Sequence, residues 1–276
     1  MAKYKSALPK LPERGWFKKG DKGEEVKKMQ RAVNWANGGS IIAPLKVDGE
    51  VGNLTIAAIS FMEELHHMTI DGEFGIKCLN LIKSFDLNGR WRACNWAVSV
   101  SKDNRFTYGA GKRAHRSGCY FCGTNTGPVH KNKERKGEPH VVKDSQGNGH
   151  TYHMTYCCNP FITAAYAHGA KDPVSLKKCK NGSSFGMSPK EWEQSPNFKR
   201  LGKSKDVPFE KLYPGDVIMV DADNIQHVWM YLGGDKYVEA GSEGWGSNTI
   251  ASKHGAKRNY MKYQKMSPCY VVRYYK

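Results

Sequence analysis

Three side chains in the C-terminal half have the types that thiol-based acyl transfer needs. Such chemistry requires a thiolate, a base to generate it, and a group that orients the base. Cys158 opens the stretch Cys158-Asn159-Pro160-Phe161-Ile162. Asn159 and Pro160 suit a helix start there, and Gly169 suits its end. A thiol at a helix N-terminus is acidified by the helix dipole, and the N–H groups of the first turn can face an oxyanion. His227 begins an apolar run directly after a polar loop, where an imidazole can face a cleft. Glu239 lies on the following run, across a Gly233-Gly234-Asp235 turn, and cross-strand neighbours around such a turn can touch. The plain alternative is that Cys158 is a small buried apolar group and His227 a structural histidine. Spacing alone does not place them together.

A second signal is Gly118-Cys119-Tyr120-Phe121-Cys122-Gly123. A Cys-x-x-Cys pair can supply half of a zinc site, with His115, His130, His140 or another cysteine as candidates to complete it. The sequence holds no second such pair, so two thiols in a loop are the default reading and no cofactor is expected. Zinc at Cys119 and Cys122 is the alternative.

These residues need a scaffold. Residues 91–102 read as a helix and residues 106–111 as a short strand ending in a glycine turn. Residues 111–150 are rich in Gly, Lys, Asn and His and read as a long excursion, which is uncommon unless functional. From Tyr213 the period changes. Pro214-Gly215-Asp216 is a turn, and residues 217–220, 227–232, 236–240 and 270–275 read as strands. A helix packed on an antiparallel sheet gives an α+β domain for residues 89–276.

Residues 1–88 read differently. Val47-Asp48-Gly49-Glu50-Val51-Gly52 recurs as Ile70-Asp71-Gly72-Glu73-Phe74-Gly75, two tight turns that each feed a helix. Between them Thr55, Ala58, Ile59, Met62 and Leu65 follow helical spacing, and Val26, Met29, Gln30 and Val33 follow it before them. The expectation is a small all-α three-helix domain. It resembles the peptidoglycan-binding domain family through Gly20, Gly23, Val26, Gln30, Asp48, Gly49, Gly52, Thr55, Phe61, Asp71, Gly72 and Gly75. That resemblance implies wall binding, with Asp48, Gly49, Asp71 and Gly72 as the residues nominated for it. Lys77-Cys78 departs from it, where the family often repeats a Thr.

The second region resembles the NlpC/P60 peptidases, with the related CHAP amidases close behind. Phe161, Ile162 and Tyr166 align with the family's nucleophile motif, which puts Cys158 on the nucleophile and Cys157 on an Asp. Residues 214–218 match its Pro-Gly-Asp strand. His227-Val228, with Tyr231-Leu232-Gly233, matches its histidine strand, and Glu239 falls on the third catalytic position. Asn159-Pro160 replaces Ser-Gly, Trp229 replaces Gly, and Glu239 replaces the usual His or Asn. The resemblance implies a papain-like fold and an active-site tyrosine at Tyr108. Tyr108 and Trp229 are the expected substrate contacts. By this resemblance the substrate is the peptide stem of peptidoglycan, cut between D-glutamate and the diamino acid, or at the muramoyl–alanine amide in a CHAP-type reading.

A net charge of +17 favours a polyanionic partner. No nucleic-acid motif appears, and no apolar run is long enough for a membrane span. The N-terminal segment has positive charge but no apolar core of a secretory signal. The expectation is therefore a monomer made in a host cytoplasm, acting on peptidoglycan after holin-dependent release, as a phage endolysin does. Partners from nucleic acid or membrane are not expected. The rival of another class is a non-catalytic wall-binding or nucleic-acid-binding protein.

Overall fold

In the computed structural model the chain divides into two units, Met1–Asn88 and Gly89–Lys276. The structure describes residues 2–37, 45–66, 68–84, 86–102, 106–108, 122, 140–143, 149–152, 154–156, 158–180, 186–222, 225–240, 255–265 and 268–276. Among the described residues no helix is long and apolar enough to cross a membrane.

The first unit holds α1 (Glu24–Ala36), α2 (Asn53–Leu65) and α3 (Ile76–Ser84), with β1 (Ala2–Lys3) paired to β2 (Asp86–Leu87). Val26, Met29, Val33 and Ala36 of α1 recur at three- and four-residue steps and are all buried. They meet Ile59 and Met62 of α2, and Cys78, Leu79 and Ile82 of α3, in one core that also takes Phe17, Val51 and Phe74. Period 3.6 in the sequence thus becomes a single shared apolar face.

The two repeated turns are built alike. Gly49 and Gly72 both have positive φ, 83° and 71°, a conformation that glycine adopts without strain. Asp48 Oδ1 accepts from Glu50 N, and Asp71 Oδ1 accepts from Glu73 N. A helix side chain closes each turn: Gly49 N donates to Gln30 Oε1 of α1, and Gly72 N donates to Glu63 Oε2 of α2. Thr55 Oγ1 donates to Glu50 O, and Cys78 Sγ stands at 3.4 Å from Glu73 O. The cysteine that breaks the sequence repeat therefore fills the place of its threonine. The nominated wall-binding residues are the framework of these turns.

Gln30 and Glu63 are equivalent in position but not in charge. Burial, together with Asp71, raises the Glu63 pKa from 4.5 to about 7. A carboxyl that holds its proton more tightly folded than unfolded stabilises fully below about 4.5, and that stabilisation is lost as pH rises through about 7. Glu63→Gln supplies the acceptor that Gln30 supplies in the first turn, without the charge. The expected result, from thermal unfolding at a series of pH values, is a first unit that is more stable than wild type above pH 7. The decline of its midpoint between about pH 5 and 8 is removed. An unchanged decline would show that Glu63 does not titrate there.

The second unit is α+β, with helices packed on a five-stranded antiparallel sheet. Its strands are β7 (Phe198–Lys203), β8 (Val217–Ala222), β9 (Ile225–Gly233), β10 (Lys236–Val238) and β11 (Cys269–Tyr274), in the order β10-β9-β8-β11-β7. One face, with Ile218, Val220, Trp229, Tyr231, Tyr237 and Val271, packs on Ala256 and Tyr260 of α8 (Gly255–Gln264). On α4 (Gly89–Ser101), Cys94 Sγ lies 3.6 Å from the Met230 sulfur. Asp216, fully buried, takes two hydrogen bonds from Arg273, which tie the start of β8 to β11.

Before the sheet come β3 (Phe106–Tyr108), β4 (His140–Lys143), β5 (Gly149–Tyr152) and β6 (Met154–Tyr156), followed by α5 (Cys158–Ala164). The helix continues as a π-helical segment, Ala165–Ala170, into α6 (Pro173–Lys180) and then α7 (Pro189–Gln194). The stretch expected to be a single helix ending at Gly169 is therefore a helix that widens in its last turn. Gly169 is needed there, because a Cβ would sit 2.5 Å from Arg92 O. Strand β7 leaves no strand signal in the sequence. Its Phe-Lys-Arg-Leu-Gly-Lys is the charged composition of an edge strand, which carries no alternating apolar pattern.

Candidate active site

Cys158 is the first residue of α5. The backbone before it, β6, pairs in parallel with β3, with Tyr108 opposite Tyr156, so the main chain at Tyr108 runs beside the approach to Cys158. The next residue, Asn159, fixes the helix start. Its side-chain amide donates to Met187 O, and its carbonyl accepts from Trp192 Nε1 at 3.1 Å. Trp192 is fully buried. The Asn that departs from the family motif is thus a structural clamp, and Pro160 sits in the first turn, where its missing N–H costs nothing.

His227 lies on β9 opposite Val220 of β8. Glu239 follows β10 directly. The register between β9 and β10 shifts between Lys236 and Tyr237, so Tyr237 faces Tyr231 and Val238 faces Met230. Continued by one residue, that register sets Glu239 beside Trp229 and on the sheet face of His227. Without the bulge Glu239 would fall opposite Met230, on the other face, because a one-residue slip reverses every side chain. In the structure His227 Nε2 donates to Glu239 Oε2 at 2.5 Å.

The Cys158 thiol and the His227 ring share a hydrogen bond. With Nε2 held by Glu239, Nδ1 is the nitrogen left for the thiol. Burial disfavours the Cys158 thiolate, but the His227 hydrogen bond and charge, with backbone N–H groups, outweigh it and hold the pKa below the usual 9.0. Burial likewise disfavours the imidazolium, yet hydrogen bonds and charge from Cys158 and Glu239 raise its pKa from 6.5 to about 9. Both shifts favour a thiolate–imidazolium pair near neutral pH, the form that attacks carbonyl carbon.

The structure therefore brings together Cys158, His227 and Glu239. It corrects the expectation for Trp229. That ring is fully buried in the core, edge-on to Tyr237 and Tyr260, and has no surface for substrate. A large apolar side chain on a central strand belongs to the core first. Cys157, Cys119, His115 and His130 lie outside the described residues, as do most of residues 109–139.

Residues 149–265 match the NlpC/P60 family model. The C-terminal half thus carries an NlpC/P60 family domain. NlpC/P60 proteins are cysteine peptidases acting on peptidoglycan, and the match implies cell-wall peptidase activity. All three side chains of the cluster fall inside the matched span, whereas the first unit lies outside it. No curated protein and no solved structure matches the chain.

Proposed function

We propose that the protein is a peptidoglycan hydrolase of the endolysin type that cuts the peptide stem between D-glutamate and the diamino acid, with Cys158 as nucleophile, His227 as acid and base, and Glu239 as orienting group. The observation that carries this reading is the Cys158–His227–Glu239 cluster at the start of α5, within the NlpC/P60 match. The Cys158 thiolate attacks the amide carbonyl carbon, and the C–S bond forms as the carbonyl π pair moves to oxygen. The oxyanion collapses, the C–N bond breaks, and the His227 imidazolium gives its proton to the leaving amine. Water then attacks the thioester while His227 takes its proton, releasing a carboxylate and restoring the thiolate. Mass spectrometry of muropeptides released from purified peptidoglycan tests the bond. New amino termini on the diamino acid support the endopeptidase reading, and free muramoyl lactyl groups with N-terminal alanine reject it in favour of an amidase.

In the same reading the first unit holds the enzyme on the wall, supported by the paired Asp-Gly turns and by the net charge of +17. Residues 1–88 are expected to sediment with purified walls without lysing them. Retention should weaken as salt rises, since charges in water are screened beyond about 8 Å at physiological ionic strength. A fragment that stays in the supernatant while residues 89–276 sediment fully would reject the assignment.

A further inference from the structure

We infer that Cys122, His168 and Cys179 form a zinc site. Their three ligand atoms lie within 4.8 Å of one another, and Cys122 Sγ stands 3.5 Å from His168 Nε2. A tetrahedral ion with Zn–S of about 2.3 Å and Zn–N of about 2.0–2.1 Å sets its sulfur and nitrogen ligands about 3.5 Å apart, and two sulfurs about 3.8 Å apart. The Cys122–His168 pair already has that spacing, and Cys179 Sγ lies within 4.8 Å of both. Two thiolates, a neutral imidazole and a divalent ion sum to no net charge, which suits the buried setting of Cys179. Sulfur and imidazole are the donors that select zinc over magnesium or calcium.

The backbone around His168 departs from a regular α-helix. His168 sits inside the π-helical segment Ala165–Ala170, and Lys171, which ends it, is the non-glycine residue with positive φ among the described residues, at 62°. A π turn inserts one residue, rotating the rest of the helix by about 100° relative to a continuous α-helix. Such departures persist where the surroundings over-determine them. Trp96 of α4 stacks on the His168 ring at 5.8 Å and fixes its orientation, the part that neighbours of metal-ligating histidines play. The three ligands come from separate places: Cys122 from the long excursion, His168 from the end of the helix that begins at Cys158, and Cys179 from α6. An ion there fastens the excursion to the far end of the nucleophile's helix. None of the three ligands belongs to the reacting cluster, and a tetrahedral ion held by them would keep its fourth position for water or a further ligand. Cys119 lies outside the described residues and is not part of the proposed set.

The test uses the full-length chain, purified without chelator. Elemental analysis is expected to find about one zinc per chain, kept through gel filtration and released when thiols are titrated with a mercurial. Cobalt substitution should give thiolate-to-metal charge-transfer absorption and the visible bands of a tetrahedral ion. Cys158→Ser should keep the metal in full, and Cys122→Ala should lose most of it. Wild-type protein that retains no zinc and shows no cobalt–thiolate band would overturn the inference, as would a Cys122–Cys179 disulfide in the protein as isolated. Both readings come from the wild-type chain, so they hold whether or not a variant folds.

Discussion

Cys158→Ser is expected to abolish wall lysis, while Cys157→Ser keeps most of it. Cys157 lies outside the described residues, and its assignment rests on the spacing to Phe161 and Tyr166, which sets Cys158 on the nucleophile position. Cys158 carries the hydrogen bond to His227 and a depressed pKa, and it heads α5, whose positive dipole end favours its thiolate. A serine hydroxyl in that place has neither the acidity nor the nucleophilicity of the thiol. The rate of muropeptide release should fall at least about a thousandfold. His227→Ala should fall about as far, because members of one catalytic unit fail together rather than additively. Circular dichroism and wall sedimentation of Cys158→Ser should match wild type, which separates lost chemistry from lost fold. A Cys157→Ser variant that is dead, beside a Cys158→Ser variant that lyses normally, would move the nucleophile by one residue.

How far each feature can be read from the sequence depends on the kind of signal it leaves there. The helices of the first unit are legible because one buried face repeats at a fixed period, and strands β8 and β9 because a short apolar run is buried on both faces. The candidate site is legible because its members fall at element starts beside recognisable turns: Cys158 before Pro160, His227 after a loop, Glu239 beyond Gly233-Gly234. Contacts between distant elements leave no such trace. His168 and Cys179 stand far from Cys122 in the chain, and the histidine lies in a π-helical segment that the sequence does not announce. Their neighbours in sequence are those of an ordinary amphipathic helix. The equivalence of Gln30 with Glu63 is hidden for the same reason: each side chain closes a turn from a preceding helix. Trp229, expected to touch substrate, instead fills the core between the sheet and α8.

The bulge between Lys236 and Tyr237 leads to the second large effect, on pH dependence. It is the local irregularity that puts Glu239 on the face of His227. The active form is the thiolate–imidazolium pair. Its acid limb is protonation of Cys158, below the usual thiol value of 9.0, and its alkaline limb is loss of the His227 proton at about 9. The pair titrates as one unit, so kcat/KM against pH should be a bell between those limits. Glu239→Gln keeps an oxygen that accepts from Nε2–H but removes the negative charge that favours the imidazolium. An opposite charge at this range is worth about 1–3 pH units to its partner. The alkaline limb should therefore fall from about 9 toward the ordinary histidine value of 6.5, and the acid limb should rise, because a less stable imidazolium holds the thiolate less well. The window closes from both sides, so the loss at pH 8.5 should far exceed the loss at the new optimum, where geometry is kept. Glu239→Ala removes orientation as well, and its loss should be large at every pH. An alkaline limb that stays at about 9 in Glu239→Gln would mean that Cys158 alone sets the charge state of His227, leaving Glu239 a packing role.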